Sequence, residues 1–157
     1  MNQAVQALPN PVAQWVTFRL DLETYGINVM QVQEVLRVSE ITPVPGSPDF
    51  VLGIINLRGH VVTVVDARRR FNLAVLQTSD ESRIVIAEIG GQVVGMLVDS
   101  VAEVLELRAE QIETPPNVGN EEKARFVQGV CSHDGELLIL IDLNQLLGDV
   151  AVQGAGS

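Results

Sequence analysis

The sequence predicts an all-β chain made of two copies of one small unit, folded as two lobes around a common apolar core. Three observations carry this. The segment Phe50-Val-Leu-Gly-Ile-Ile-Asn-Leu-Arg-Gly-His-Val-Val-Thr-Val-Val-Asp66 returns as Phe126-Val-Gln-Gly-Val-Cys-Ser-His-Asp-Gly-Glu-Leu-Leu-Ile-Leu-Ile-Asp142, with Phe, both glycines and the last Asp in register 76 residues on. Upstream, the stretch from Gly26 to Leu36 matches Gly95 to Leu105 at an offset of 69. Between these landmarks the chain alternates short β-branched runs with turn residues, the pattern of small barrels or a sandwich. A half-chain of this size buries only roughly 60% of its unfolded surface alone, so the copies are expected to share one core.

Residues 1–14, with Gln, Asn, Pro9 and Pro11, offer little to bury and read as a flexible leader. Strand runs are expected at Trp15–Asp21, Gly26–Met30, Gly53–Asn56, Val61–Val65, Arg83–Ile89, Val93–Val98, Gly129–Cys131 and Leu137–Ile141. Turns fall where glycine accepts positive φ cheaply: Arg58-Gly59, Gly90-Gly91 and, matching the first, Asp134-Gly135. Three prolines in Thr42-Pro-Val-Pro-Gly-Ser-Pro48 rule out a continuous ladder there, and Thr114-Pro-Pro-Asn117 holds the comparable place in the second copy. Asp66 and Asp142 each end a strand and are placed to cap a helical turn, at Ala67–Phe71 and Leu143–Leu147. The first barrel is expected over about 15–76 plus a C-terminal return and the second over about 82–141, within a domain of 15–148. A loose tail follows at 149–157.

Charge narrows the partners. Ten Lys and Arg against twenty Asp and Glu give a net −10 over 157 residues, which repels nucleic acid and anionic lipid at long range. Cys131 is alone, as fits a reducing compartment. No basic and apolar leader pair marks a secretion signal, and apolar runs such as Leu137–Ile141 are strand length, so a soluble cytoplasmic protein is expected.

Catalytic patterns are missing. His60 and His133 lack Cys/His ligand spacing, Gly90-Gly91 lacks the Lys-Ser/Thr of a phosphate loop, and Ser47 and Ser100 lack a nucleophile-elbow setting. Glu34/Glu103 and Asp66/Asp142 recur as pairs, yet repeat-related acids occupy equivalent places in two lobes, where capping or edge protection explains both. A small enzyme using Glu34 and Asp66 stays as the alternative from another class. No cofactor and no metal is expected.

Where the copies diverge, function is expected. Asn56-Leu-Arg-Gly59 faces Ser132-His-Asp-Gly135, so Arg58 and Asp134 stand at equivalent turns with opposite charge. Arg58 beside Leu57 has the planar cation and apolar flank of an interface hot spot. With Arg37 and Arg68–Arg70 it outlines a local basic area, while Arg68–Arg70 by themselves read as a solvated helical face.

The motifs Tyr25-Gly-Ile-Asn-Val29, Val32-Gln-Glu-Val35, Ile41-Thr-Pro-Val-Pro45, Gly53-Ile-Ile-Asn-Leu-Arg-Gly59, Val64-Val-Asp66, Val94-Gly-Met-Leu-Val-Asp99 and Val101-Ala-Glu-Val104, in this order, resemble the CheW family of bacterial chemosensory coupling proteins. The resemblance spans Val16 to Leu147. It implies two intertwined five-stranded SH3-like β-barrels around a shared core, and a non-catalytic adaptor joining chemoreceptor cytoplasmic tips to the histidine kinase CheA, whose regulatory domain shares the fold. By matching position it implies a receptor-contact surface of Val32, Glu34, Arg58 and Val61, facing the groove between barrels, with the kinase at barrel ends and the protein located at receptor arrays through its partners. Thr63 stands where the family commonly has Pro, Ala67 where Leu is usual, and His60 at a variable position. An adaptor of a non-flagellar chemosensory pathway, for pilus motility or second-messenger control, is the alternative the residues leave open.

Overall fold

The computed structural model describes residues 12–114 and 125–155. Ten strands dominate it: β1 (Val12–Leu20), β2 (Glu23–Asn28), β3 (Val32–Arg37), β4 (Val51–Leu57), β5 (His60–Asp66), β6 (Arg83–Ile89), β7 (Gln92–Val98), β8 (Ser100–Arg108), β9 (Val127–His133) and β10 (Glu136–Ile141). Two helices follow the last strand of each copy, α1 (Ala67–Arg70) and α2 (Leu143–Ala155).

The strands form two five-stranded sheets, ordered β8-β1-β2-β10-β9 and β3-β6-β7-β5-β4. Replacing each strand by its counterpart five places along turns one order into the other. The two SH3-like barrels are therefore equivalent, and they exchange halves: each takes its first two strands from one copy and its other three from the other copy. This corrects the expected allocation of 15–76 to one barrel and 82–141 to the other. The exchange happens where β2 leaves through a 3-10 turn at Val29–Gln31 into β3, and where Asp99 alone separates β7 from β8. At both places the chain passes into the opposite sheet instead of folding back onto the strand just left.

Local chemistry explains the elements. Arg58-Gly59 have φ of 50° and 87°, Asp134-Gly135 of 51° and 79°, and Gly90-Gly91 of 58° and 83°. These paired positive values are those of two-residue hairpins whose twist matches the strands. The Asp66 carboxylate accepts a hydrogen bond from the Arg68 amide at 3.0 Å, and Asp142 accepts from Asn144 at 3.0 Å, so both caps are as expected. The proline segment contributes a single bridge, Thr42 to Ile54, matched by Glu113 to Val130. Residues 115–117 of the second proline segment lie outside the described residues.

Three expectations need correction. Val12–Gln14, assigned to the leader, pair with β8, and the rest of the leader, 1–11, lies outside the described residues. Beyond Leu147 the chain stays helical to Ala155, because Leu143, Leu146, Leu147 and Val150 repeat at helical spacing and all are buried. β3 and β8 are strands that the list of runs lacked. Their apolar residues, Val32, Val35, Leu36 and Val101, Val104, Leu105, are spaced as on a helix because exposed Val35 and Val104 stand beside inward-packed Leu36 and Leu105; a register shift also interrupts each ladder, between Val32 and Glu34 and opposite the Val16/Phe18 step.

The largest apolar cluster lies between the barrels and draws on both copies, with Phe18, Ile27, Phe71, Val85, Met96 and Leu146 among its members. Phe18, Tyr25 and Phe71 stack in series, and Phe126 meets Phe71 edge-on at 5.9 Å. Arg70 lies over the repeat-related rings of Phe50 and Phe126, at 4.5 and 5.1 Å, and its Nε donates to the carbonyl of Leu146, its own counterpart, at 2.8 Å. Each barrel also has its own interior, around Trp15 and Leu140 in one and Ile84 and Val64 in the other.

Gly53 shows how tightly the proline segment closes its barrel. A Cβ at this position would stand 2.1 Å from the Thr42 carbonyl oxygen, which is fixed backbone, whereas at Gly129 the nearest atom is an Ile112 side-chain methyl at 2.5 Å. Gly53→Ala is expected to destabilise by about 3 kcal/mol or more, and Gly129→Ala by less. Thermal melting of the two variants side by side checks the order.

Arg68 joins the two barrels and is not a solvated side chain. Its side chain is only 6% exposed. The Nε donates to Asp99 at 2.8 Å, Nη1 to the Ala74 carbonyl at 2.8 Å, and Nη2 to Asp99 at 2.6 Å and to Asp21. Burial pushes the Asp99 carboxyl up, but the hydrogen bonds and charge of Arg68 together with the Asp21 amide outweigh it and hold the group below the usual carboxylate range. Asp66 runs the other way, raised chiefly by burial. A depressed carboxylate stabilises the fold above its unfolded pKa and loses that contribution as pH falls through its folded value. Stability carried by Asp99 is thus expected to fade below about pH 4, and Asp99→Asn should flatten that acid limb in melting curves taken as a function of pH.

Candidate partner-binding surface

β3 and β4 are the two outer strands of one sheet, and the curl of the sheet brings them toward each other. Arg58, at the tip of the β4–β5 hairpin, spans this seam to Glu34 on β3: Nη1 donates to Oε1 at 3.3 Å, and Nη2 pairs with Oε2. The hydrogen bond from Arg58 lowers the Glu34 pKa, and the same bond raises that of Arg58, so both stay ionised at neutral pH. The guanidinium is nevertheless two-thirds exposed, leaving donors free to meet a partner.

The turn is held by Asn56, a residue not among the expected contact residues. Asn56 accepts a hydrogen bond from the Gly59 amide through Oδ1 at 2.8 Å, fixing the loop from which Arg58 projects. An Asn two residues before an Arg-Gly turn, in a chain whose other copy has Ser132 there, was the available signal.

Of the four expected contact residues, Glu34 and Arg58 touch directly. Val61 is 68% exposed on β5, while Val32 is half-buried and packs against the inter-barrel core. Val61, Gln92 and Val93 form a ridge shared by two hollows. One, of about 360 Å³, is bounded by Gln33, Leu57, Arg58 and His60. The other, of about 710 Å³, is lined by the segment from Val44 to Pro48 and by Thr63 and Val150. An exposed aliphatic side chain between two shallow hollows, with an ion pair at one end, suits a side-chain stripe from a partner more than an enclosed small molecule.

The expected basic area does not form, since Arg68 is consumed between the barrels and Arg70 lies over two phenylalanine rings. Glu34 and Asp66 do not converge either. Asp66 is buried, caps α1 and lines the hollow around Arg68, whereas Glu34 pairs with Arg58 on the outer seam.

Comparison with known proteins gives a consistent picture. The CheW-like domain family matches residues 14–151. The chain is similar to the chemotaxis protein CheW of Rhizobium meliloti (strain 1021), 30% identical over 146 residues that cover 93% of this chain and 94% of that protein. It is also similar to the chemotaxis protein CheW of Treponema pallidum (strain Nichols), 33% identical over 144 residues that cover 89% and 85%. Among solved structures it resembles the scaffolding protein TtCheW from Thermoanaerobacter tengcongensis, with a TM-score of 0.81 and 39% identity, over 87% of this chain and 93% of that one.

Proposed function

The chain belongs to the CheW-like family of chemotaxis scaffolds, and from this we propose that it couples the cytoplasmic tips of chemoreceptors to the histidine kinase CheA without a catalytic step of its own. What supports the receptor half of this reading is one arrangement: an exposed Arg58–Glu34 pair on a rigid turn, beside the exposed Val61, at the positions where the family resemblance implies receptor contact.

In this reading a receptor helix lays an aliphatic stripe over Val61 and the flanking hollows. Arg58 donates its free N–H groups to carbonyl or carboxylate oxygens near the helical tip. Val32 supports the seam from the core side. The kinase regulatory domain binds elsewhere on the barrels, so that both partners are held at once. Neither cofactor nor metal enters this scheme. Among the described residues no helix is long and apolar enough to cross a membrane, and the protein reaches the receptor array from the cytoplasm through its partners.

The deciding experiment is a three-way binding assay with a purified receptor signalling domain and a purified kinase regulatory domain. The chain should bind each separately and bridge them when both are present. Binding to one partner alone, with no ternary complex, would sink the adaptor reading.

A further inference from the structure

We infer that the hollow of about 360 Å³ beside Arg58 receives a carboxylate side chain, Glu or Asp, from the receptor segment, and that His60 and Gln92 read this group together with Arg58. This rests on the adaptor reading above and adds to it the chemistry by which the receptor is recognised and directed to one barrel.

Three donor-bearing side chains converge on the hollow. Arg58, His60 and Gln92 line it, with Gln33 from β3 and the apolar Leu57 and Val61. Part of the Arg58 guanidinium is held by Glu34, and the rest stands open. His60 is exposed and Gln92 half-buried, and among the described residues neither side chain makes a hydrogen bond or an ion pair. An imidazole offers one N–H in either tautomer and two once protonated, and a carboxamide offers two. Acceptors with charge are what the site lacks. Among the described residues no acidic side chain lines it, in a chain of net charge −10. Glu34 on β3 is engaged by Arg58, and the β6–β7 turn brings only the neutral Gly91 and Gln92.

The other barrel shows that the fold does not impose this donor set. Arg58 and His60 correspond to Asp134 and Glu136 at an offset of 76, and Gln92 corresponds to Glu23 at an offset of 69. The match holds in space as well as in sequence. Thr63 lies beside Val94 in the parallel β5/β7 pair, and their counterparts Ile139 and Tyr25 lie side by side in the parallel β10/β2 pair. His60 and Gln92 thus open two neighbouring strands, as Glu136 and Glu23 do. The hairpin tips agree too, since Arg58 and Asp134 have φ of 50° and 51°.

Three donors in one barrel therefore stand where the other has three carboxylates. A partner carboxylate gains charge-assisted hydrogen bonds from the first set and is repelled by the second. A partner cation would be drawn to the wrong barrel. Two surfaces of like shape are told apart by one attractive and one repulsive set, which is how specificity between near-equivalent sites is built. Val61, exposed at the edge of the hollow, supplies the apolar contact on which the stem of the incoming side chain rests.

The test places the second barrel's residues in the first, as His60→Glu/Gln92→Glu in the full chain, with calorimetry against a purified receptor signalling domain. Receptor affinity should fall about tenfold or more, and either single variant should show part of the loss. Melting temperature should not change, because neither side chain is buried or hydrogen-bonded. His60→Arg should raise receptor affinity. A receptor domain whose tip Glu and Asp are changed to Gln and Asn should bind the parent chain weakly and no longer distinguish it from the double variant. Unchanged receptor affinity in the double variant overturns the inference. So does an equal fall in His60→Arg, which would mark a steric effect, or a neutralised receptor that still distinguishes the two chains. If the unmodified chain binds no receptor domain, the adaptor reading fails and takes this inference with it. If Arg58→Glu loses the receptor and His60→Glu/Gln92→Glu does not, the inference alone fails.

Discussion

Arg58→Glu is expected to abolish receptor control of the kinase while leaving the fold and most kinase binding intact. The substitution places two carboxylates across a seam now bridged by an ion pair and removes the exposed guanidinium to which receptor contact is assigned in the proposed function. Receptor affinity should drop by more than about tenfold, as at other interface hot spots. A purely structural role for the pair makes a different forecast, and the exchanged variant Glu34→Arg/Arg58→Glu separates the two. It restores opposite charges across the seam but moves the cation to β3. If recognition depends on Arg58 at the turn tip, the exchanged protein melts like the parent and still fails to couple. Full recovery of receptor-dependent kinase activity in the exchanged protein would falsify the recognition role and leave the pair as a clasp alone.

Arg68→Met should be the most damaging single change to stability among the charged residues. It deletes a buried cation and leaves Asp99 and Asp21 facing each other beside an apolar side chain. Removing one partner of a buried pair costs 3–5 kcal/mol in general, and because Asp21 and Asp99 keep partial contact with water we expect about 3 kcal/mol. For a chain of this length that lowers the melting temperature by about 10 °C. Adding Asp99→Asn to Arg68→Met should recover part of the loss, since it removes one stranded charge; a double variant no better than the single would show that packing, not charge, sets the cost.

Much of this architecture could be read before any coordinates. Recurrence of Phe50, Gly53, Gly59 and Asp66 as Phe126, Gly129, Gly135 and Asp142 located both hairpins and both helix caps, because those residues satisfy local geometry that neighbours in sequence complete. Arg58 stood out for a related reason: equivalent turns with unlike residues show where the fold leaves a choice open. What the chain order hid was pairing at a distance. The exchange of strands takes place at Val29–Gln31 and Asp99, and no residue there announces which sheet comes next. Arg68 was read as solvated because its acceptors, Asp21 and Asp99, lie 47 and 31 residues away. β3 and β8 were obscured by the exposed Val35 and Val104, which stand beside inward-packed Leu36 and Leu105 and so imitate helical spacing.

The exchanged sheets bear on how such a chain could arise and how it must fold. Half of it, with β1 to β5 alone, would own two strands of one sheet and three of another, each with an unfinished edge. Two separate halves could finish both sheets only by meeting, as a dimer whose stability rises and falls with concentration. Joining them through the connector between Phe71 and Arg83 turns that encounter into an intramolecular one, at an effective concentration on the order of millimolar. The asymmetry between Arg58 and Asp134 then becomes possible, because the two halves of a tethered pair, unlike the subunits of a homodimer, are free to diverge.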